Sequence, residues 1–494
     1  MLPDVNPPRS LATRAVLAMA LMIGFYGLAL AIAGALLWIP YAELHYTHRL
    51  HGRITIACVV AAAGILWALV PRRDRFEPPG PRLDETNAPQ LLKLVNDVAA
   101  ETGQARPSEI YLLDQVNAWV SHRGGVMGFG SRRVMGVGLP LIQMLTPAEL
   151  RAVIAHEFGH YSGGDVALGP WIYKTRGAIG RALNSLQGSW LEAIFTWYGR
   201  MFMRVTMAVS RQQEFTADAV AASVAGADVA GEALRKVAIQ APAYDIYLKG
   251  DVYPVLNAGY LPPIVEGWQE FMARARANAS FAAYAEERTT GDTAGDFDSH
   301  PSMADRIAAL ARLGGQASRR IEPAGPVLAD PERWTRTLLS FHAGESEVAK
   351  LQPLEWSEVG TTIWASRWQS IAEHYAAWFD TLTVERIPAG QAAYAERSAA
   401  LYQADEQVSD DERLLAAVRV MSAGLGAALL RAGWQISARP GESVAVVRVD
   451  RRLDPAAVVI GLVEGTQTAA DWQARCDELG ISGLPLQPVA TAPS

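Results

Sequence analysis

Residues 146–160 read Thr146-Pro147-Ala148-Glu149-Leu150-Arg151-Ala152-Val153-Ile154-Ala155-His156-Glu157-Phe158-Gly159-His160, and this stretch decides the fold of the domain around it. Thr146 and Glu149 have the spacing of a capping box, and Pro147 occupies the first helical position. Apolar residues follow at helical intervals, at Leu150, Val153, Ile154, Phe158 and Tyr161. The pattern predicts an amphipathic helix with its apolar face toward a core.

Two histidines lie four residues apart in this predicted helix. A helix places residues at that spacing on one face, so His156 and His160 would direct both imidazoles toward one point. Glu157 projects roughly 100° around the helix, where it can hold a water beside a metal. Zinc binds neutral imidazole readily, so the motif predicts a zinc site. The alternative is a pair of solvated or core histidines satisfied by hydrogen bonds.

A catalytic zinc usually has three protein ligands and one open position, so a third ligand is expected elsewhere in the chain. Glu214 and Asp218 are also four residues apart, in a segment that runs from Arg211 to Ala219. Glu214 is the best candidate for the third ligand. Asp218 would accept the second N–H of a ligating histidine and fix its tautomer. The alternative is a solvated helix face that carries two acids.

The sequence from Leu145 to His160, followed by Glu214 and Asp218, resembles the M48 metallopeptidases, which include the Ste24 prenyl-protein proteases and the HtpX membrane proteases. Two further segments are similar to motifs of that family. They are Val116-Asn117-Ala118-Trp119, with the Gly-rich strand-like stretch that follows it through Val134 to Leu139, and Ser299-His300-Pro301-Ser302 with Arg306-Ile307. The resemblance covers about Asp84 to Leu313, with four motifs in the family's order.

The resemblance implies roles for individual residues. His156, His160 and Glu214 would bind one Zn²⁺ per chain, and Glu157 would be the general base that activates water against the peptide carbonyl. Asp218 would orient a ligating histidine.

Two residues near the downstream motif keep two interpretations each. His300 would stabilise the oxyanion, or it is a structural histidine before a proline turn. Arg306 would form a supporting ion pair, or it is an arginine on a helix surface.

Asn117 and Ala118 are candidates for substrate binding. Extended backbone beside a metal cleft can pair with a substrate strand through main-chain hydrogen bonds that ignore side-chain identity. The glycines that follow would permit close approach of a substrate backbone, at Gly124, Gly125, Gly128 and Gly130. The sequence therefore predicts a small edge sheet beside the helical metal site.

Two apolar stretches near the N-terminus predict a transmembrane hairpin. Ala15–Ile39 has 25 residues, about 37 Å as a helix, and Ile54–Val70 is at the short end for a span. Arginines are more numerous outside this hairpin (Arg9, Arg14, Arg72, Arg73 and Arg75) than between its spans (Arg49 and Arg53). Cytoplasmic flanks carry the excess of positive charge. We therefore expect a multi-pass protein of the cell inner membrane, with its catalytic domain facing the cytoplasm.

The segment Trp190–Val209 is rich in aromatic and apolar residues but contains Glu192, Arg200 and Arg204. Burying such charges in a bilayer costs about 2.5–3.5 kcal/mol each on insertion scales. An amphipathic helix at the membrane surface is therefore the predicted arrangement. HtpX-like relatives have membrane segments in this interval, so a four-span topology is left open.

Composition limits the remaining possibilities. The net charge of −7 gives no basic surface for nucleic acid. Two cysteines, Cys58 and Cys476, cannot form a disulfide framework and suit a reducing compartment. Glycine, serine and proline cluster between Gly314 and Pro331 and predict a linker.

The region after this linker shows no catalytic constellation. Trp334–Leu430 is predicted to be mostly helical, with a capping box at Ser409–Glu412. Ser443–Val449 and Ala456–Leu462 are predicted strands.

These observations predict a mainly α (α+β) chain in three parts. Residues 1–75 would form the transmembrane helical hairpin, 76–315 a gluzincin-like helical metallopeptidase domain with a small edge sheet, and 333–494 a C-terminal α/β accessory region. The predicted function is that of a membrane-anchored zinc endopeptidase that acts on proteins or peptides, possible roles being membrane protein quality control and, less favoured, prenyl-peptide processing. The alternative is a catalytically silent, zinc-bearing membrane scaffold or binding protein. The lipid bilayer is the second expected partner, and the sequence does not fix the oligomeric state.

Overall fold

The computed structural model describes residues 9–70, 74–125, 130–161, 168–290, 300–314, 326–398 and 409–487. These residues are mostly helical with small sheets, which confirms the mainly helical prediction. The chain divides into two compact units, Met1–Pro242 with Ala282–Ala343, and Ala243–Phe281 with Gly344–Ser494. The division into residues 1–75, 76–315 and 333–494 stays a prediction. Arg72, Arg73, Gly128 and Ser299 lie outside the described residues.

The secondary structure is numbered in chain order. The helices are α1 (Arg9–Thr47), α2 (Gly52–Leu69), α3 (Pro89–Glu101), α4 (Leu139–Met144), α5 (Pro147–Gly159), α6 (Leu168–Ser185), α7 (Leu191–Ala225), α8 (Ala227–Tyr247), α9 (Tyr253–Asn257), α10 (Ile264–Arg276), α11 (Ala279–Thr290), α12 (Met303–Leu313), α13 (Pro331–Ala343), α14 (Glu345–Val348), α15 (Ser366–His374), α16 (Gln391–Ser398), α17 (Asp410–Arg431), α18 (Pro455–Glu464) and α19 (Ala469–Leu479). The strands are β1 (Arg82–Leu83), β2 (Glu109–Leu113), β3 (Ala118–Arg123), β4 (Arg132–Gly138), β5 (Tyr260–Leu261), β6 (Gln352–Pro353), β7 (Gln435–Ser437), β8 (Ala445–Arg448) and β9 (Arg451–Leu453).

Three of the described helices are long and apolar enough to cross a membrane: α1 over Val16–Thr47, α2, and α17. The buried fraction of each apolar window distinguishes α17 from α1 and α2. Only 28% and 22% of the apolar windows of α1 and α2 are buried within the protein, whereas the corresponding value for α17 is 67%. A helix that is apolar on every side and enclosed by protein is a core helix. The helices α1 and α2 are therefore the candidates for spans, as the sequence predicts.

The helices α6 and α7 pack against α1 and α2 in one apolar cluster. The ring of Phe195 on α7 meets that of Phe25 on α1 edge to face, and Tyr198 donates its hydroxyl hydrogen to Leu21 O at 2.6 Å. The segment Trp190–Val209 is thus the first half of a 35-residue helix that packs along α1. Its predicted position at the membrane surface stays a prediction.

The first unit contains a four-stranded sheet in the order β1-β2-β4-β3. The central strands β2 and β4 are parallel, β1 and β3 are antiparallel to their neighbours, and β3 lies at one edge. One apolar core joins this sheet to α3, α5 and the second half of α7. The edge position of β3 leaves one side of its backbone available.

Helix α5 begins with the capping box that the sequence predicts. Thr146 Oγ1 accepts from Glu149 N at 3.3 Å, and Glu149 Oε2 accepts from Thr146 N at 2.8 Å. Glu149 is buried, and its other carboxylate oxygen lies 2.7 Å from Lys236 Nζ on α8. This cap satisfies helix-end donors and fixes where α5 starts.

The second unit is built around α17, which also begins with its predicted capping box at Ser409 and Glu412. One prediction here is wrong, because Ala456–Leu462 lies in helix α18 and is not a strand. Pro455 occupies the first helical turn, and Asp454 accepts from Ala456 N at 2.9 Å and Ala457 N at 3.0 Å. A short run rich in valine fits a buried strand or a buried helix equally well. Here the helix cap at Asp454 favours the helix.

Candidate metal centre

The candidate metal centre lies where α5 meets α7. Their closest approach is at Gly159, where a Cβ atom would lie 2.7 Å from Ala217 Cα. No side chain fits that space, so glycine allows the two helices to touch. This contact places His156 and His160 on α5 beside Glu214 on α7.

The three predicted ligands converge. Glu214 Oε2 lies 3.5 Å from His156 Nε2, and Glu214 Oε1 lies 3.7 Å from His160 Nε2. One ligand atom from each residue lies within 4.8 Å of the others. A tetrahedral zinc with bonds of about 2.0–2.2 Å separates its ligand atoms by roughly 3.3–3.6 Å. The spacing therefore fits a zinc ion held by two imidazoles and one carboxylate.

One oxygen of this cluster has an unsatisfied hydrogen-bonding capacity. Glu214 Oε2 is buried and has no hydrogen bond to any residue that the structure describes, although Arg306 Nη1 lies 3.3 Å away as an ion-pair partner. Buried carboxylate oxygens normally have hydrogen bonds. A metal cation would satisfy this oxygen, which supports the donor set as a metal site.

Asp218 and Arg306 surround the ligand histidine. Asp218 Oδ1 lies 3.0 Å from His156 Nδ1, the ring nitrogen that faces away from Glu214. Arg306, on α12, donates to Asp218 Oδ2 from Nε at 2.9 Å and to Oδ1 from Nη2 at 2.7 Å. This bidentate pair fixes the aspartate, and the aspartate fixes the imidazole with Nε2 toward the ligand cluster.

Burial and charge shift the pKa values of the centre in different directions. Burial lowers the pKa of His156, but the nearby carboxylates of Asp218 and Glu214 outweigh this effect and raise the pKa to about 9. Burial lowers the pKa of His160 to about 4. Burial opposes ionisation of Glu214, yet the nearby His156 ring, the contact with His300 and the charge of Arg306 hold its pKa well below the usual range. The carboxylates thus favour a cation, which is a proton on His156 until a metal replaces it.

Glu157 lines the same cavity as the three ligands. Burial raises the pKa of its carboxyl group to about 7. A general base is most effective when its pKa lies near the working pH. The position and the pKa of Glu157 are therefore suited to taking a proton from water.

The cavity has a volume of about 400 Å³ and an apolar wall. Asn117, just before β3, and Ala118, its first residue, line the cavity, and their role in substrate binding stays a prediction. Sequence reasoning missed the part of the wall that α8 contributes. Its lining residues are Ala230, Ala233, Leu234 and Val237. Their spacing along α8 is that of one helical face, which is the signal that could have identified them.

The glycines after β3 have an unusual backbone conformation. Gly124 and Gly130 have φ values of +82° and +72°, and a Cβ atom on either would have no neighbour within 4 Å. Glycine adopts this left-handed backbone in the loop from β3 to β4 without strain, and the predicted close approach of a substrate backbone stays a prediction.

His300 stands at the rim of the centre. Its Nδ1 lies 3.0 Å from Glu214 Oε1, and two thirds of its side chain is exposed, at 67%. The hydrogen bond to Glu214 raises the pKa of His300. The structure therefore places His300 beside a ligand, and its predicted role toward an oxyanion stays a prediction.

The candidate centre combines two histidines and a glutamate on one helix, a carboxylate from a second helix and an edge strand beside the cavity. Residues 85–313 match the sequence profile of peptidase family M48. The match covers the region in which the motifs resemble that family.

Curated relatives agree with this assignment. A Protease HtpX homolog of Ralstonia pickettii (strain 12J) is 28% identical over 162 residues, which cover 29% of this chain and 54% of the relative. Homologs with the same name from Paraburkholderia phytofirmans and Burkholderia thailandensis are 26% and 27% identical, with the same coverage. The chain thus spans about half the length of the curated relatives it matches. No solved structure matches the chain significantly.

Proposed function

We propose that this protein is a membrane-anchored, zinc-dependent endopeptidase. The observation that carries the proposal is the convergence of His156, His160 and Glu214 in a cavity that also contains Glu157. The match of residues 85–313 to a peptidase family supports hydrolysis of peptide bonds as the reaction.

The residues of the centre divide the chemistry among them. Zinc, when bound by the two histidines and Glu214, supplies Lewis acidity that favours ionisation of water and polarises the scissile carbonyl. Glu157 accepts the proton of the attacking water at its carboxylate and returns it to the leaving amine. Asp218 holds His156 in the tautomer that presents Nε2. In this proposal His300 stabilises negative charge on the carbonyl oxygen.

The alternative function is that of a zinc-bearing scaffold. Structural zinc sites are closed by four protein ligands, whereas catalytic sites keep one position open. Within the described ranges, the ligand group contains three residues and opens into a cavity of about 400 Å³. These features favour the enzyme over the scaffold.

The proposed substrates are membrane proteins or proteins close to the membrane, and the proposed role is membrane protein quality control. The support is the pair of long apolar helices α1 and α2 in the same unit as the metal centre. The arginine distribution supports an inner-membrane protein with its centre on the cytoplasmic side.

Digestion of unfolded casein by the detergent-purified, zinc-loaded protein tests the proposal. Glu157→Gln should retain zinc and lose activity by about 10²–10⁴-fold, because general-base catalysis contributes that much. A chelator should abolish cleavage. Glu232→Gln, an exposed acid on α8, is the matched control and should cleave normally. Near-normal turnover by Glu157→Gln would reject the assigned base, and no cleavage at one zinc per chain would favour the scaffold.

A further inference from the structure

Helix α7 runs from the apolar bundle to the metal centre, so its rise per residue gives the distance of the centre from the membrane. Phe195 contacts Phe25, and Tyr198, three residues later, contacts Leu21, so α7 runs antiparallel to α1. From Tyr198 to Glu214 the helix rises about 24 Å at 1.5 Å per residue. Leu21 lies about 8 Å along α1 from Val16, which is close to the start of the apolar stretch at Ala15. Glu214 therefore stands roughly 16 Å beyond the edge of the apolar layer.

Charged residues on α7 support this position of the boundary. Arg200 and Arg204 are exposed, whereas the residues between them are at least partly buried. They lie within about one helical turn of the calculated boundary. Long arginine side chains place their charged ends in the headgroup region at that level.

The edge strand β3 is fixed to the chain that leaves the membrane. Asp74 follows the last residue of α2 by five positions. Its carboxylate accepts from Arg123 Nε at 2.8 Å, Arg123 Nη2 at 3.1 Å and Gly124 N at 2.8 Å. Its own N–H donates to Gly125 O at 3.0 Å. These four hydrogen bonds attach the far end of β3 to the membrane anchor, and we call them the Asp74 clamp.

The other end of β3 enters the metal cavity. Gly138 N donates to Asn117 O, so the odd-numbered residues of β3 pair with β4 and the even-numbered ones direct their backbone groups outward. The outward carbonyl of Val120 already accepts from the hydroxyl of Tyr161 at 2.8 Å. Ala118, beside the cavity, is therefore the residue whose backbone can pair with a substrate there.

The length of β3 agrees with the distance of the metal centre from the apolar layer. Ala118 and Arg123 are about 17 Å apart along an extended strand, and Glu214 stands about 16 Å beyond the apolar layer. An extended chain covers that distance in about five residues.

We propose that β3, held by the Asp74 clamp and Tyr161, is a spacer that selects scissile bonds by their distance from the membrane. The substrate class is the cytoplasmic juxtamembrane segment of a membrane protein, cut at least about five residues beyond its transmembrane helix. The substrate residues between the transmembrane helix and the scissile bond form no main-chain hydrogen bond to Val120, because its carbonyl is occupied by Tyr161. The distance from the membrane, and not the substrate sequence, therefore determines the site of cleavage. This inference rests on the proposed peptidase function.

Position-resolved cleavage of a tethered substrate tests the inference. The full-length protein and a single-span substrate are placed together in vesicles of phosphatidylethanolamine and phosphatidylglycerol. The substrate has a uniform Ala-Leu-Ser repeat as its cytoplasmic tail, and mass spectrometry maps the cuts. We expect the first cut about five residues from the transmembrane helix. Inserting about five Gly-Ser residues before the repeat should shift the cut by that length along the sequence, so that its distance from the membrane is unchanged.

The clamp is tested with variants of the same protein. Asp74→Ala should spread the cuts over a wider range, with casein cleavage within about twofold of wild type, because the clamp does not touch the metal centre. Asp74→Asn, which keeps the shape of the side chain, should give a smaller spread. Glu101→Ala removes an ion pair with Arg151 elsewhere in the first unit and should leave the cuts unchanged.

The outcomes separate the two proposals. Casein cleavage with tethered cuts that follow the sequence, or with no tethered cleavage, would overturn the spacer and leave the peptidase intact. Cuts that stay sharp in a folded Asp74→Ala variant would overturn the clamp as the cause. Failure to cleave either substrate would overturn both proposals.

Discussion

Replacing Arg306 by alanine should destabilise the protein strongly, and zinc should offset part of the loss. Arg306 is buried, forms two hydrogen bonds to Asp218 at 2.7 and 2.9 Å, and lies 3.3 Å from Glu214. The substitution removes the arginine cation from beside two buried carboxylates. Removing one partner of a buried ion pair costs about 3–5 kcal/mol.

This loss is large enough to measure by thermal unfolding. About 2–3 °C per kcal/mol is expected for a unit of this size, so the midpoint should fall by roughly 6–15 °C in the presence of a chelator. Zinc binds only the folded state and compensates the charge of Glu214. It should therefore raise the midpoint of Arg306→Ala more than that of wild type, provided the site is saturated in both.

Two further variants test the role of the Arg306 charge. Arg235→Ala removes an ion pair with Glu232 at 3.6 Å in which both side chains are about half exposed, and it should change stability by less than about 1 kcal/mol. Arg306→Lys keeps the charge but loses the bidentate geometry, so its midpoint should lie between those of wild type and Arg306→Ala. An Arg306→Ala protein that unfolds within about 1 kcal/mol of wild type in chelator would show that the buried carboxylates do not depend on this cation.

Three further predictions concern the helix contact, a buried acid and the helix cap. Gly159→Ala places a Cβ atom 2.7 Å from Ala217 Cα, so it should separate the two ligand-bearing helices. Zinc binding should weaken by about tenfold or more in a competition assay. The control Gly231→Ala, whose Cβ atom would have no neighbour within 4 Å, should bind zinc as the wild type does. Burial raises the pKa of Asp251 from 3.8 to about 6, so the folded state holds this proton while the unfolded state loses it. The free energy of unfolding should thus fall as pH rises through this window, and Asp251→Asn should stabilise the protein at pH 7 and above by up to about 3 kcal/mol; equal unfolding midpoints at pH 7 would contradict this. Thr146→Ala removes the cap of the metal-binding helix and should cost about 1 kcal/mol in chemical unfolding, and an unchanged midpoint would show that the cap is dispensable.

Local sequence signals predicted those parts of the fold whose stability is local. The capping boxes at Thr146 and Ser409 start their helices where expected, because a cap depends only on residues three positions apart. The same reasoning failed for Ala456–Leu462, where a valine-rich run suggested a strand and the single side chain of Asp454 directs a helix. A pattern of apolar residues reports burial more reliably than it reports backbone conformation.

The candidate site was partly predictable for a related reason. Helical spacing alone places His156 with His160, and Glu214 with Asp218, on common faces. The contact that brings these faces together depends on Gly159 against Ala217, which is a long-range match of shapes. The wall that α8 contributes and the hydroxyl of Tyr161 on Val120 depend on tertiary packing as well. The periodicity of a sequence identifies the face of each helix that carries the ligands, but it does not predict which helix faces pack against each other.

The order of the ligands along the chain has a consequence for biosynthesis. His156 and His160 are made before α6 and α7, and Glu214 follows only after the chain has passed through the bundle that packs on α1 and α2. A chain is synthesised from its N-terminus and its early segments begin to fold first. The three candidate ligands can therefore come together only after the chain has been synthesised as far as Glu214 on α7. All the helices of the apolar bundle begin before that residue, so the bundle can start to pack before the candidate centre is complete.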